Sequence, residues 1–150
     1  MTELANPVDD GRCVACGIHS EIGLRMSFSL NDDRSVESSV TVPARFQGWR
    51  NVVHGGVVAL LLDEAMAYAA GALGLLGVTA ELKMRFRKPV PTEKPLIVRG
   101  RVAWQRRNVL SIEASVHDGT GALLALGTGS FVSRGRIDPG SRFGNLRGSP

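Results

Sequence analysis

The run from His54 to Ala70 (His-Gly-Gly-Val-Val-Ala-Leu-Leu-Leu-Asp-Glu-Ala-Met-Ala-Tyr-Ala-Ala) is apolar on every side except at Asp63 and Glu64. A helix with no polar face has nothing to offer water. It must be buried, and the rest of the chain must supply the surface that covers it. Carboxylates rarely enter such an interior without a partner or a task. At the other end of the segment, Gly55 and Gly56 leave backbone N–H groups bare at the helix's positive terminus, where an anion is stabilised. An anion-holding turn and an acid nine residues after His54, joined by one buried helix, point to a catalytic site.

A chain of 150 residues is enough for one domain with a real core. The greasy stretch from Gly55 to Val78 is long enough to cross a membrane, but two acids lie near its centre and further glycines dilute it. The expectation is a buried core helix and no membrane partner. The net charge of +4 invites thoughts of nucleic acid until it is placed. Residues 134–150 hold Arg134, Arg136, Arg142 and Arg147 against Asp138 alone, so little net charge is left elsewhere. That is no footprint for a nucleic-acid partner. No basic segment followed by an apolar run opens the sequence, so a cytoplasmic setting with reduced thiols is expected. Cys13 and Cys16 form a single Cys-x-x-Cys, for which one chain offers three metal ligands at most. The pair reads as a structural turn, with a metal shared between chains and a redox pair as alternatives. No metal and no cofactor are expected.

Before the helix, Leu24, Met26, Phe28 and Leu30 alternate with polar residues, and Ser35 to Val42 returns after an Asn-Asp-Asp-Arg turn. Both read as strands. Four more follow the helix: Thr79–Arg87, Leu96–Gln105, Val109–Val116 and Leu123–Ser133, with a hairpin-length connection at Arg106-Arg107-Asn108. The order β-β-α-β-β-β-β predicts an α+β domain, one antiparallel sheet against one long helix. A flexible lead is expected over 1–12, the domain over 13–133 and a basic disordered tail over 134–150.

Three stretches carry a resemblance. They are Cys13-x-x-Cys16-Gly17 leading to Ile22-Gly23-Leu24; Phe46-Gln47-Gly48 with Val53-His54-Gly55-Gly56 and Asp63-Glu64; and Val78-Thr79-Ala80-Glu81-Leu82 with Phe86-Arg87-Lys88-Pro89. Together they resemble the hotdog-fold acyl-CoA thioesterases of the phenylacetyl-CoA thioesterase branch. The resemblance implies a sheet wrapped round the central helix and metal-independent hydrolysis of an acyl-CoA thioester. It also implies a homodimer or homotetramer with active sites at subunit interfaces.

Cleavage of a thioester needs a group to attack the carbonyl carbon and a donor for the oxyanion. Asp63 is expected to attack directly or to activate water, with a merely hydrogen-bonded helix acid as the alternative. Glu64 competes for that role, although adjacent helical residues point about 100° apart. It is otherwise counted with the substrate-binding residues. The Gly56 N–H is expected to donate to the oxyanion, beside Gly55, unless the glycine pair only permits a tight turn. His54 is a possible base, but by resemblance it shapes the turn. Gln47 and Asn51 are amides able to steer the carbonyl or a water. Some relatives carry an amide six residues before the histidine, where this chain has Gly48. Thr79 matches a hydroxyl that orients water in some relatives, although strand parity puts it on the Arg85 face unless the strand starts irregularly. Arg85, Arg87, Lys88, Arg106 and Arg107 are the candidate cations for the CoA phosphates. Trp49 and Trp104 are expected to pack, with lining a pocket as the alternative. The acyl group is taken as medium-chain or aromatic. Two further readings stay open, a hotdog enoyl-thioester hydratase or dehydratase and a non-catalytic acyl-CoA-binding protein.

Overall fold

The computed structural model describes residues 8–137. Two strands, β1 (Ser29–Leu30) and β2 (Val36–Thr41), precede a short 3-10 turn at Ala44–Phe46 and the helix α1 (Gly55–Ala72). Four strands follow: β3 (Leu75–Phe86), β4 (Pro95–Arg106), β5 (Val109–Asp118) and β6 (Leu123–Arg136). All pair antiparallel in one six-stranded sheet ordered β1-β2-β4-β5-β6-β3. The sheet wraps α1, which packs chiefly on β4, β3 and β5. The expected α+β order is therefore the observed one.

Alternation explains the strands. Leu110, Ile112, Ala114 and Val116 of β5 turn inward while Glu113 faces out, and Leu96 and Val98 of β4 do the same. They meet Val58, Leu61, Leu62, Ala65 and Met66 of the helix, all with 1% exposure or less. Each such side chain removed from water contributes roughly 1.5–3 kcal/mol. One contact sets how close the layers come. A Cβ on Gly100 of β4 would lie 2.4 Å from the Ala65 carbonyl oxygen, so only glycine lets β4 cross the helix there. This is the level of the helix at which Asp63 and Glu64 stand.

Three expectations need correction. The strand predicted over Leu24–Leu30 shrinks to Ser29–Leu30, because Arg25 adopts a left-handed φ of 52°. The Leu24 and Met26 N–H groups bond instead to the Val14 and Ala15 carbonyls. The strand predicted over Thr79–Arg87 starts four residues earlier, at Leu75, and ends at Phe86. Residues 134–136, counted with the expected tail, belong to β6, which runs through Arg136. The rest of that tail, residues 138–150, and residues 1–7 of the lead lie outside the described residues. α1 is the one described helix long and apolar enough to cross a membrane, and it is the core helix of this sheet.

Candidate active site

Asp63 lies in the middle of α1 on the flank the sheet leaves partly open, with Leu60 and Ala67 also half-buried beside it. Its carboxylate Oδ1 accepts a hydrogen bond of 2.7 Å from the Thr79 hydroxyl. The parity objection to Thr79 is met by a bulge. Thr79 pairs with Phe131, but the next pair is Glu81 with Ser130, so Ala80 is an extra residue. One inserted residue reverses which side chains face the core. Thr79 is thereby brought to the helix side, while Leu82 and Met84 keep their inward direction further along the strand.

The helix N-terminus is built differently from the expectation. His54 is the N-cap, and its Nδ1 accepts from the Gly56 N–H at 2.9 Å. The N–H expected to be bare is therefore the capped one, and the bond assigns the imidazole proton to Nε2. The Val57 and Val58 N–H groups bond to the His54 carbonyl. Among the described residues the Gly55 N–H has no such acceptor. No acid occupies the first turn, so the positive end of the helix dipole is open. Gln47 does not reach into this space, because its Oε1 accepts from the Asn51 N–H at 3.2 Å and braces the turn. Asn51 itself sits at a left-handed φ of 62°.

A cleft of about 510 Å³ opens in front of the helix terminus. His54, Gly55, Trp49, Phe86, Arg87 and Lys88 are among its walls. Of the five cations proposed, then, Arg87 and Lys88 flank the cleft, whereas Arg85, Arg106 and Arg107 are exposed elsewhere. Trp49, expected to pack, is 85% exposed and forms a cleft wall with the half-exposed Phe86. Trp104 is also exposed. Phe86 could have been suspected, since it continues the inward register of Leu82 and Met84 to the end of β3.

Glu64 is turned away from all of this. It is 6% exposed, and its Oε1 lies 3.7 Å from the Cys13 Sγ. Burial pushes its carboxyl up to about 7. The Cys16 thiol, hydrogen-bonded to Cys13 and buried, is raised as well. Cys13 is lowered to about 5, first by the bond from the Cys16 thiol and also by backbone N–H groups of its own turn. The place given to Glu64 among the substrate-binding residues is therefore corrected. The step of about 100° between neighbouring helical residues turns it off the flank that Asp63 occupies. No spacing rule joins it to cysteines some fifty residues earlier, so the sequence reading had no signal for that cluster.

The thioesterase superfamily model matches residues 50–125, half of the chain, from the turn before α1 into β6. A candidate esterase of Saccharolobus solfataricus is 39% identical over 83 residues, which are 54% of this chain and 55% of that protein. The chain thus spans about half the length of the curated relative it matches. Among solved structures, a thioesterase superfamily protein superposes with a TM-score of 0.79 at 26% identity, over 87% of this chain and 68% of its own. The PaaI protein of E. coli, from the phenylacetic acid degradation operon, gives 0.70 at 23%, over 76% and 83%. A hypothetical thioesterase of Streptococcus pneumoniae solved with coenzyme A gives 0.70 at 19%, over 75% and 91%. That thioesterase has also been solved as an aspartate-to-alanine and as a threonine-to-alanine variant, at positions sixteen residues apart. The antiparallel sheet around one central helix is the hotdog fold of these neighbours, and with half of its residues matching the family model the chain belongs to the thioesterase superfamily.

Proposed function

We propose that this protein hydrolyses the thioester of a medium-chain or aromatic acyl-CoA to the free acid and CoA, with Asp63 as the catalytic carboxylate. The observation that carries the reading is the Thr79 hydroxyl donating to Asp63 on the open flank of an otherwise apolar helix. The bond holds Oδ1 and leaves Oδ2 to activate a water or to attack. The sixteen-residue separation of Asp63 and Thr79 equals that of the aspartate and threonine altered in the Streptococcus pneumoniae thioesterase.

In the general-base form, Asp63 takes a proton as water adds to the carbonyl carbon. The tetrahedral oxyanion collapses, the C–S bond breaks, and the proton returns to the departing CoA thiolate. Oxyanion stabilisation falls to the helix terminus. Here Gly55 takes the part first given to Gly56, because the Gly56 N–H is already bonded to His54. His54 then acts by capping, which argues against a hydratase that would use it as a base. Arg87 and Lys88 are placed to meet the CoA phosphates, and Trp49 and Phe86 supply apolar walls.

Gly55 and Asp63 are separated along α1 by a rise of about 12 Å. A single carbonyl must lie within about 3 Å of its donor and its attacker, so one helix cannot provide both. The reading therefore requires a second copy. β3 is a twelve-residue edge strand with an open outer side and exposed Val78 and Phe86. Two copies paired antiparallel along this edge lay their helices side by side in opposite directions. Asp63 of one copy then faces the helix terminus of the other. A homodimer is the smallest such assembly, and a homotetramer preserves it. The substrate and the second copy are the partners proposed. No cofactor enters the chemistry, and the free thiols suit the cytoplasm.

The test is CoA release from short, medium, long and aromatic acyl-CoAs, wild type beside Asp63→Asn. Turnover that falls at least about a hundredfold in the variant is expected. Turnover that survives moves the chemistry away from Asp63. Binding of every ester with no cleavage would instead favour a non-catalytic acyl-CoA-binding protein.

A further inference from the structure

On the side of α1 away from Asp63, the sulfurs of Cys13 and Cys16 and the carboxylate of Glu64 lie within 4.8 Å of one another. They come from segments fifty-one residues apart and serve no step of the proposed hydrolysis. The local backbone is built around the sulfurs. The Gly17 N–H closes the turn on the Cys13 carbonyl at 2.8 Å, and the Ala15 N–H points at the Cys13 Sγ at 3.3 Å. Only glycine permits the closure, since a Cβ on Gly17 would fall 2.5 Å from the Cys13 N and O atoms. The other sulfur, that of Cys16, is hydrogen-bonded by the Tyr68 side chain, one turn beyond Glu64. Both sulfurs are thus supplied with donors, as thiolate ligands are. Among the described residues Glu64 forms no ion pair, the two pairs present being Arg99–Glu37 and Arg101–Glu113. Enclosure beside two thiols penalises the charged carboxylate and favours its neutral acid, a balance that a bound cation would reverse.

We propose that Cys13, Cys16 and Glu64 bind one zinc ion, which clips the N-terminal turn to the middle of α1. The ligand chemistry is right for zinc, two thiolates and a carboxylate oxygen. The spacing fits as well. In a tetrahedral site with Zn–S near 2.3 Å and Zn–O near 2.0 Å, the sulfur-to-oxygen edge is about 3.5 Å, against the 3.7 Å between Cys13 Sγ and Glu64 Oε1. Three protein ligands leave the fourth position to a water or another small ligand. The two thiols lose their protons on binding. The ion's work is structural. Residues 8–28 contribute no strand to the sheet, and a metal clip holds them where loop hydrogen bonds alone would have to. This revises the expectation of no metal, which counted only ligands beside the Cys-x-x-Cys and no small ligand in the fourth position. The third ligand comes from the helix instead.

The test uses the full chain purified under reducing conditions without chelator. Its zinc content is measured, the metal is stripped with a chelator, and Zn2+ or Co2+ is added back alone. The expected results are about one zinc per chain and a thermal midpoint that falls by about 5 °C or more on stripping and recovers with Zn2+. Co2+ should give a thiolate-to-cobalt charge-transfer band in the near ultraviolet. Cys13→Ser and Cys16→Ser should each weaken that band sharply, while Glu64→Gln should keep the thiolate signature and weaken zinc binding by about tenfold or more. The cobalt spectrum of the unaltered chain decides the matter even where a cysteine variant fails to fold. No band and no stoichiometric zinc after incubation with Zn2+ would overturn the proposal. So would a native Cys13–Cys16 disulfide, seen as a two-hydrogen loss of mass.

Discussion

Asp63 and Glu64 are consecutive acids on one helix, yet they inhabit different chemical worlds. Asp63 stands on the open flank, half-buried, with one hydroxyl donating to it. Glu64 is enclosed beside two sulfurs, and burial lifts its carboxyl to about 7. The difference comes from the helical step alone, which turns neighbouring side chains about 100° apart. An apolar helix wrapped by a sheet can therefore carry a reactive acid toward a cleft and a structural acid toward a turn, although the Asp63 charge adds to the burial that raises Glu64. Proximity in sequence says little about shared chemistry.

The sharpest way to break this comparison is to neutralise each acid in turn. Asp63→Asn should lower kcat by about 10²–10⁴ and barely move the thermal midpoint. Glu64→Gln should do the reverse, leaving kcat within a few-fold and lowering the midpoint. Equal losses of activity in the two variants would erase the distinction. Next in size is the helix terminus. Gly55→Pro removes one N–H at the first helical position, where proline is well tolerated, and a Cβ there meets only Phe86 at 4.0 Å. The variant should fold normally and lose about 10²–10³ in kcat, measured by steady-state CoA release. Thr79→Val tests what holds the reactive acid. Losing one hydrogen bond to a charged group, worth about 1.5 kcal/mol, should cost about tenfold in kcat with KM unchanged. The smallest effect is expected from Arg87→Ala combined with Lys88→Ala. It should raise KM a few-fold for acyl-CoA and leave an acyl-pantetheine ester unaffected, because the latter lacks the nucleotide phosphates.

Much of this was legible in the residues. Period-two alternation marked β4, β5 and β6 almost to their ends, and the all-round apolar run marked α1 to within two residues at each end. The same alternation misled at Leu24–Leu30, where burial alternates but Arg25 breaks the backbone and loop carbonyls take the N–H groups. Thr79 was suspected, with parity against it unless the strand began irregularly; the irregularity is the inserted Ala80, which leaves no pattern in a single strand's sequence. The glycine pair announced an anion-binding turn. Which of its N–H groups is spent depends on the His54 ring, a side-chain geometry that no spacing encodes. The joining of Cys13, Cys16 and Glu64 was out of reach for a plainer reason. It is a tertiary contact across fifty-one residues, made by the fold itself.

In this mechanism the acid and the oxyanion donor of one active site belong to different copies of the chain. Mixing tests it directly. Asp63→Asn and Gly55→Pro, each inactive alone, are unfolded together and refolded at equal concentrations, and CoA release is measured. In a random mixture of dimers with shared sites, half of the dimers carry one intact site, so about one quarter of wild-type activity should return. If the mixture stays as inactive as its components while forming mixed dimers, the site lies within one chain and the shared-site mechanism is wrong.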